Sequence, residues 1–279
     1  MTYKTIVAVL DVPRYARQVS DFAIFLADAC DAHLIGLHAE AVTMTPVVMP
    51  MEIPDPVTIQ ALQDMAHEET LTIEQQFRQR LAANGATGEW RSLLASAGYN
   101  TSGVIETARC ADLIIAAQGD PKSPEGFRDL DGFLFESGRP VLMVPNILSQ
   151  PKPIRRVLIA WNGSREATRA TFDALPFLKK ADEVEIFTVD PDDTATQTGA
   201  IAGAEIAATL ARHGVKATLS VGEAHGMSRS AVIENRLSDS SIDLLVMGAY
   251  THSRLWQMLF GGTTKTLLES MTALTLLSR

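Results

Sequence analysis

Three glycines in the stretch LLVMGAYTHSRLWQMLFGGTT, Leu244 to Thr264, are spaced for one piece of chemistry: holding an anion against bare main chain. Gly248 ends the apolar run Ile242 to Met247, which reads as a strand buried on both faces. A polar turn, Ala249 to Arg254, and an apolar run, Leu255 to Phe260, follow it. Gly261 and Gly262 then open a helix-like segment through Leu267 to Met271. A strand running into a turn, and paired glycines at a helix start, leave backbone N–H groups free to close around a phosphate. Glycine suits both places because no Cβ stands between ligand and chain.

Other constellations carry less. Gly262-Thr263-Thr264-Lys265-Thr266 lacks the glycine before lysine and the upstream spacing of a P-loop. His67-Glu68 starts like a zinc-protease motif, but Leu71 stands where the second histidine belongs, so a solvated helix face is expected. His38 and His225 lie near expected strand ends and read as hydrogen-bonded histidines rather than metal ligands. His252 and Arg254 fall in the phosphate turn, as phosphate contacts or as exposed turn residues. Spacing alone assembles no nucleophile, base and orienter, so no catalytic residue and no metal ligand is assigned.

The elements that must position these glycines come in two similar series. In the first, Thr5 to Leu10 is a strand stopping at Asp11. Val19, Phe22 and Leu26 recur at helical spacing, and His33 to His38 is a second strand. Ile73, Phe77 and Leu81 mark one face of a long helix ending at Asn84-Gly85. Trp90 to Leu94 reads as a strand, Val104 to Ala108 as a helix, and Asp112 to Ala117 and Val141 to Val144 as strands. The order then restarts. Pro151 and Pro153 flank a linker. Arg156 to Trp161 matches Thr5 to Leu10, with Asn162 opposite Asp11. Ala167, Ala170, Ala174 and Leu178 suggest one helix, and Glu183 to Val189 is a strand. Ile206 and Leu210 lie in a helix closed by His213-Gly214. Ala217 to Val221 is a strand and Ala231 to Leu237 a helix. DLLV from Asp243 matches DLII from Asp112, and Leu268-Glu269-Ser270 matches Phe135-Glu136-Ser137. An internal duplication explains these parallels. Alternating strands and helices imply an α/β fold with a doubly wound parallel sheet in each half. Ligands of such sheets sit beyond the carboxyl ends of the strands, where Asn162, Val189 and Gly248 fall.

Bulk properties set limits. A chain of 279 residues, 46% apolar and 20% charged, fills one large domain or two ordinary ones. A net charge of −9 argues against nucleic acid or an anionic membrane as main partner. The start, MTYKTIVAVLDVP, reads as a first strand rather than a signal peptide. Cys30 and Cys110 have no metal or redox spacing and are expected to be buried thiols of a reducing, cytoplasmic protein. Met44 to Pro56, rich in Met and Pro, has no counterpart in the second half. It reads as a packed loop or as a lid or partner surface.

The repeated pattern resembles the universal stress protein family in its tandem form. The resemblance implies two Rossmann-like domains of the adenine-nucleotide alpha-hydrolase-like kind, residues 1–148 and 153–279. The family motif is Gly, two residues, Gly, nine residues, Gly, then Ser or Thr. Gly248 and Gly261 match it; Thr251 and Gly262 depart from it, with Thr263 next. In that family the ligand is ATP or a relative such as AMP or ADP, with or without Mg²⁺. By position, Asn162 would meet the nucleoside, and Ala160, Thr188, Val189 and Met247 would line adenine. Gly248, Thr251, Gly261, Gly262 and Thr263 would surround ribose and phosphates. In the first half Ala117, Asp120, Arg128 and Asp129 take the motif positions, so that half is expected not to bind ATP in the family manner.

The resemblance further implies a cytoplasmic stress-response binding module. The last strands, Val141 to Val144 and Leu274 to Leu277, would join the halves as a pseudo-dimer, and a homodimer is expected from the family. Two other readings stay open. One is a slow ATP hydrolase or nucleotidyl transferase, for which Asp190 and Glu223, at adjacent strand ends, are the candidate carboxylates. The other is a nucleotide-free interaction scaffold, to which the altered Thr251 and Gly262 would point.

Overall fold

Asp112 and Asp243 show in atoms the repeat that the sequence shows in letters. In a computed structural model, which describes residues 2–11, 13–41, 55–95, 102–119, 132–191, 203–249 and 262–279, both do the same work. Asp112 Oδ2 accepts the N–H groups of Lys4 at 2.7 Å and Thr5 at 3.0 Å. Asp243 Oδ2 accepts those of Arg155 and Arg156, both at 2.9 Å. In return, the Asp112 N–H donates to the Thr5 carbonyl and the Asp243 N–H to the Arg156 carbonyl. Each carboxylate ties together the starts of two neighbouring strands.

The elements run β1 (Thr5–Val9), α1 (Pro13–Cys30), β2 (His33–Ala41), α2 (Pro56–Ala83), β3 (Glu89–Ala95), α3 (Ser102–Arg109), β4 (Leu113–Ala117), a π-helical turn (Phe133–Ser137) and β5 (Val141–Val144). The second series is β6 (Arg156–Ala160), α4 (Arg165–Asp173), α5 (Leu175–Leu178), β7 (Glu183–Val189), α6 (Ala204–Arg212), β8 (Ala217–Gly222), α7 (Arg229–Asp239), β9 (Leu244–Gly248), α8 (Gly262–Glu269) and β10 (Leu274–Ser278).

Two compact units emerge. One holds Tyr3–Ala117 and the turn Phe133–Ser137; the other holds Gln118 and Gly138–Arg279. Strands of the first are ordered β3-β2-β1-β4, with β1 parallel to both neighbours. Those of the second are ordered β5-β10-β9-β6-β7-β8. In it β10, β9, β6, β7 and β8 are parallel, and β5 pairs antiparallel with β10 through Met143↔Thr275, Leu142↔Leu276 and Val141↔Leu277. The expected pairing of the two last strands is therefore present. In each repeat the chain leaves its first strand, β1 or β6, on one side and returns on the other, which makes these strands the flanks of a switch in strand order.

Local expectations hold where pattern alone decides. Ile73, Phe77 and Leu81 are the buried face of α2, and Asn84 and Gly85 (φ +61°) close it. Two expectations need correction. The helix from Ala167 to Leu178 is two helices, since Pro176 in the first turn of α5 lacks the N–H that would continue α4. Cys30 is buried, but Cys110 is exposed, because it sits in the turn that ends α3 rather than on its packed face. The segment Met44 to Glu52 and its prolines up to Pro54 lie outside the described residues; Pro56 begins α2.

Asp243 is 9% exposed, and the Lys152 ammonium lies 2.5 Å from its other oxygen. Burial pushes its carboxyl up, but the Lys152 ammonium and the N–H groups of Arg156 and Arg155 outweigh this and hold it below its ordinary value. A carboxyl depressed on folding stabilises the fold above its unfolded pKa, near about 3.9, and loses that contribution as pH falls through the folded value. Asp243→Ala is expected to cost about 2 kcal/mol at neutral pH, read as a lower Tm by scanning calorimetry. The difference from wild type should shrink once the pH is taken below about 4.

Candidate functional site

The turn after β6 is dictated by three residues. Asn162 Oδ1 accepts the Ser164 N–H at 3.1 Å, Gly163 takes φ +70°, and Ser164 Oγ accepts the Ala167 N–H at 3.1 Å as the N-cap of α4. This tight turn brings the first turn of α4 directly against the end of β9. A Cβ on Gly248 would lie 2.5 Å from the Ala167 nitrogen, 2.6 Å from the Glu166 carbonyl carbon and 2.7 Å from Glu166 Cβ. So the close approach that Gly248 permits is, first of all, that of the chain's own helix.

Around this point the candidate residues gather by register. Ala160, the last residue of β6, is opposite Met247 of β9, and Gly248 follows Met247. On the other side Ala160 faces Phe187 of β7, and Thr188 and Val189 finish that strand. Met247 and Thr188 are buried, Ala160 and Val189 are partly exposed, and Asn162 is exposed. The structure thus brings together Ala160, Thr188, Val189, Met247 and Gly248 at neighbouring strand ends, with Asn162 at the rim. Gly262 and Thr263 form the start of α8. Thr251, Gly261, His252 and Arg254 lie outside the described residues, as do Asp120, Arg128 and Asp129.

Thr188 is the most informative of these. Its side-chain oxygen is buried and has no hydrogen-bond partner among the described residues, at 5% exposure. A hydroxyl taken from water without a partner is destabilising by about 1–3 kcal/mol, so it needs an account. The first repeat supplies the contrast. The Leu10 N–H donates to the Leu37 carbonyl as the Trp161 N–H does to the Phe187 carbonyl, which makes His38 the counterpart of Thr188. His38 is 4% exposed; its Nδ1 is 2.6 Å from the Leu10 carbonyl, and its ring stacks on Trp90 at 6.2 Å between centroids. One strand end carries a small unpaired hydroxyl, the other a bonded imidazole under an indole.

The carboxylates near the second strand ends are already engaged. Asp190, held at φ +45°, accepts the Ala224 N–H at 3.0 Å through Oδ1, and Glu223 lies 3.2 Å from His225. His67 lies 3.4 Å from Glu40. Among the described residues no cluster of His, Cys, Asp and Glu could hold a metal ion. Glu166 escaped the sequence reading. It is 5% exposed and accepts from Arg165 Nη2 at 3.0 Å, so an ion pair stands beside Gly248. The available signal was the Asn-Gly-Ser run, which announces a capped helix whose second residue is this glutamate.

No described helix is long and apolar enough to cross a membrane. No protein-family model matches the chain, and no curated protein matches its sequence. Solved structures do match it. A universal stress protein from Archaeoglobus fulgidus superposes with a TM-score of 0.68 at 14% identity, over 99% of this chain and 96% of its own. Two Pseudomonas aeruginosa proteins, one assigned to the universal stress proteins and one of unknown function, give 0.59 and 0.60. Each is 17% identical, and they cover 99% of this chain and 93% and 92% of theirs. At these identities the likeness is one of architecture: along its whole length, the chain has the fold of the universal stress proteins.

Proposed function

We propose that the second repeat binds an adenine nucleotide, ATP or its relatives ADP and AMP, with or without Mg²⁺, beyond the ends of β6, β7 and β9. The unpartnered buried hydroxyl of Thr188 carries this reading. It closes β7 next to Val189, at the strand ends where Ala160 and Met247 also lie, the kind of place where a ring with polar edges completes what the protein leaves unpaired. Asn162 would meet the nucleoside, and Gly248, Thr251, Gly261, Gly262 and Thr263 the ribose and phosphates. Arg165 offsets the charge that Glu166 would otherwise present to phosphate. The first repeat, with His38 in place of Thr188, serves as the partner module without nucleotide. The whole chain, read as modules 1–148 and 153–279, acts as a cytoplasmic regulator of the universal-stress kind whose conformation or self-association the nucleotide sets.

Native mass spectrometry of gently purified protein tests this reading. An added mass equal to AMP, ADP or ATP supports it; protein of bare chain mass that also takes up none of the three at millimolar concentration refutes it. Thr188→Val should separate ligand binding from stability by sign. The variant loses a buried unpaired hydroxyl and should be about 1 kcal/mol more stable without ligand. Its affinity for ATP should fall about tenfold, read by titration calorimetry.

A further inference from the structure

Gln118 follows β4, where the first repeat begins its own counterpart of the motif turn, yet it belongs to the second compact unit. It is 5% exposed and held at three points. Its main-chain N–H donates to the Val144 carbonyl at 2.8 Å, and its Oε1 accepts the Asn146 N–H at 3.0 Å. The third point is the unusual one. Gln118 Nε2 donates to the carbonyls of Leu268, at 2.7 Å, and Glu269, at 3.2 Å, the last two residues of α8. Carbonyls in a final helical turn have no partner within the helix, and here a buried amide supplies both bonds.

The repeat equivalence shows that this contact is one-sided. Ala249 is the counterpart of Gln118, and its N–H donates to the Ser278 carbonyl as that of Gln118 does to Val144. Its methyl side chain can clamp nothing. The first-repeat counterpart of α8, the turn Phe133–Ser137, is met at Glu136 by Arg109 of its own repeat, whose Nε donates to the Glu136 carbonyl at 2.9 Å. Among the described residues, the end of the helix that starts at Gly262 is gripped by a side chain of the other repeat.

We propose that Gln118 is a positioning residue for the nucleotide site: by fixing the C-terminal end of α8 it holds the first turn, Gly262 and Thr263, in register for phosphate. The inference rests on the nucleotide reading above. α8 is eight residues long, so a tilt at one end moves the other. The first repeat thereby gains a role beyond packing: it supplies the polar anchor for the site it does not itself form.

The test uses the full chain with two substitutions. Gln118→Met keeps length and apolar bulk without hydrogen bonds, and Gln118→Glu keeps the acceptor for Asn146 while removing both donors. Gln118→Asn, too short to reach both carbonyls, is the milder variant should the charged one fail to fold. Affinities for ATP and for adenosine are measured by calorimetry, and hydrogen exchange is followed over residues 262–269. The expected result is faster exchange in that helix and an ATP affinity about tenfold weaker, with adenosine binding unchanged. Faster exchange with unchanged ATP affinity overturns the proposal, as does an equal loss for ATP and adenosine. Unaltered exchange overturns it too, since the clamp would then hold nothing. If the wild-type protein binds adenosine but not ATP, the positioning role falls while a nucleoside reading stands. If it binds neither, both fall.

Discussion

Gly248→Ala should remove nucleotide binding and lower stability by about 3 kcal/mol, the largest effect expected from adding one methyl group to this chain. Two of the three atoms that the methyl would meet, at 2.5 and 2.6 Å, are backbone atoms of α4. Backbone in a capped first turn cannot step aside as a flexible side chain can. To accommodate the methyl, α4 must lift from β9, which would undo the hydrogen bonds that Asn162 and Ser164 make in the turn. The resemblance assigned Gly248 to the ligand; the coordinates assign it to helix packing as well. Helix packing separates the variants: Gly248→Ala should show a lower Tm even without nucleotide. A bulky residue at Gly261 should weaken ATP binding and leave the sheet intact.

Phe77→Ala should destabilise the first unit by about 4 kcal/mol. Phe77 has no exposed surface, and its ring fills the space left by two glycines. A Cβ on Gly36 would lie 2.9 Å from the ring, and one on Gly88 would lie 3.2 Å away. Its ring centroid is also 5.9 Å from that of Trp90, which stacks on His38. Truncation therefore leaves a cavity that small neighbours cannot refill and frees the indole that covers the imidazole. Hydrogen exchange should accelerate across β2 and β3 and remain as in wild type across β6 and β9. A variant as stable as wild type would mean that the α2 face is not the core it is taken to be.

Much of the fold was written in short patterns. DLII and DLLV predict equivalent strands, and Asp112 and Asp243 turn out to make matching hydrogen bonds at the strand starts. Phe135-Glu136-Ser137 and Leu268-Glu269-Ser270 likewise share a serine bonding back to the carbonyl four residues earlier. What was not legible depends on distant partners. Nothing local to Gly248 announces a helix start above it, and nothing local to Gln118 announces helix carbonyls about 150 positions away. The helix break at Pro176 was visible in the letters, but the regular alanine spacing outweighed it. For the candidate site, position in the repeat located Ala160, Thr188, Val189, Met247 and Gly248 at adjoining strand ends. It did not foresee that Thr188 would be buried and unpaired, or that Asn162 would spend its carboxamide oxygen on the turn.

Titration calorimetry of the wild-type chain with ATP, run to millimolar ligand, bears on the central claim most directly. Saturation at one nucleotide per chain, abolished or sharply weakened by Thr188→Val, is the outcome expected of a single open strand end in the second repeat. Two equivalents per chain, or one that Thr188→Val leaves untouched while His38→Ala removes it, would place the ligand elsewhere and contradict the account.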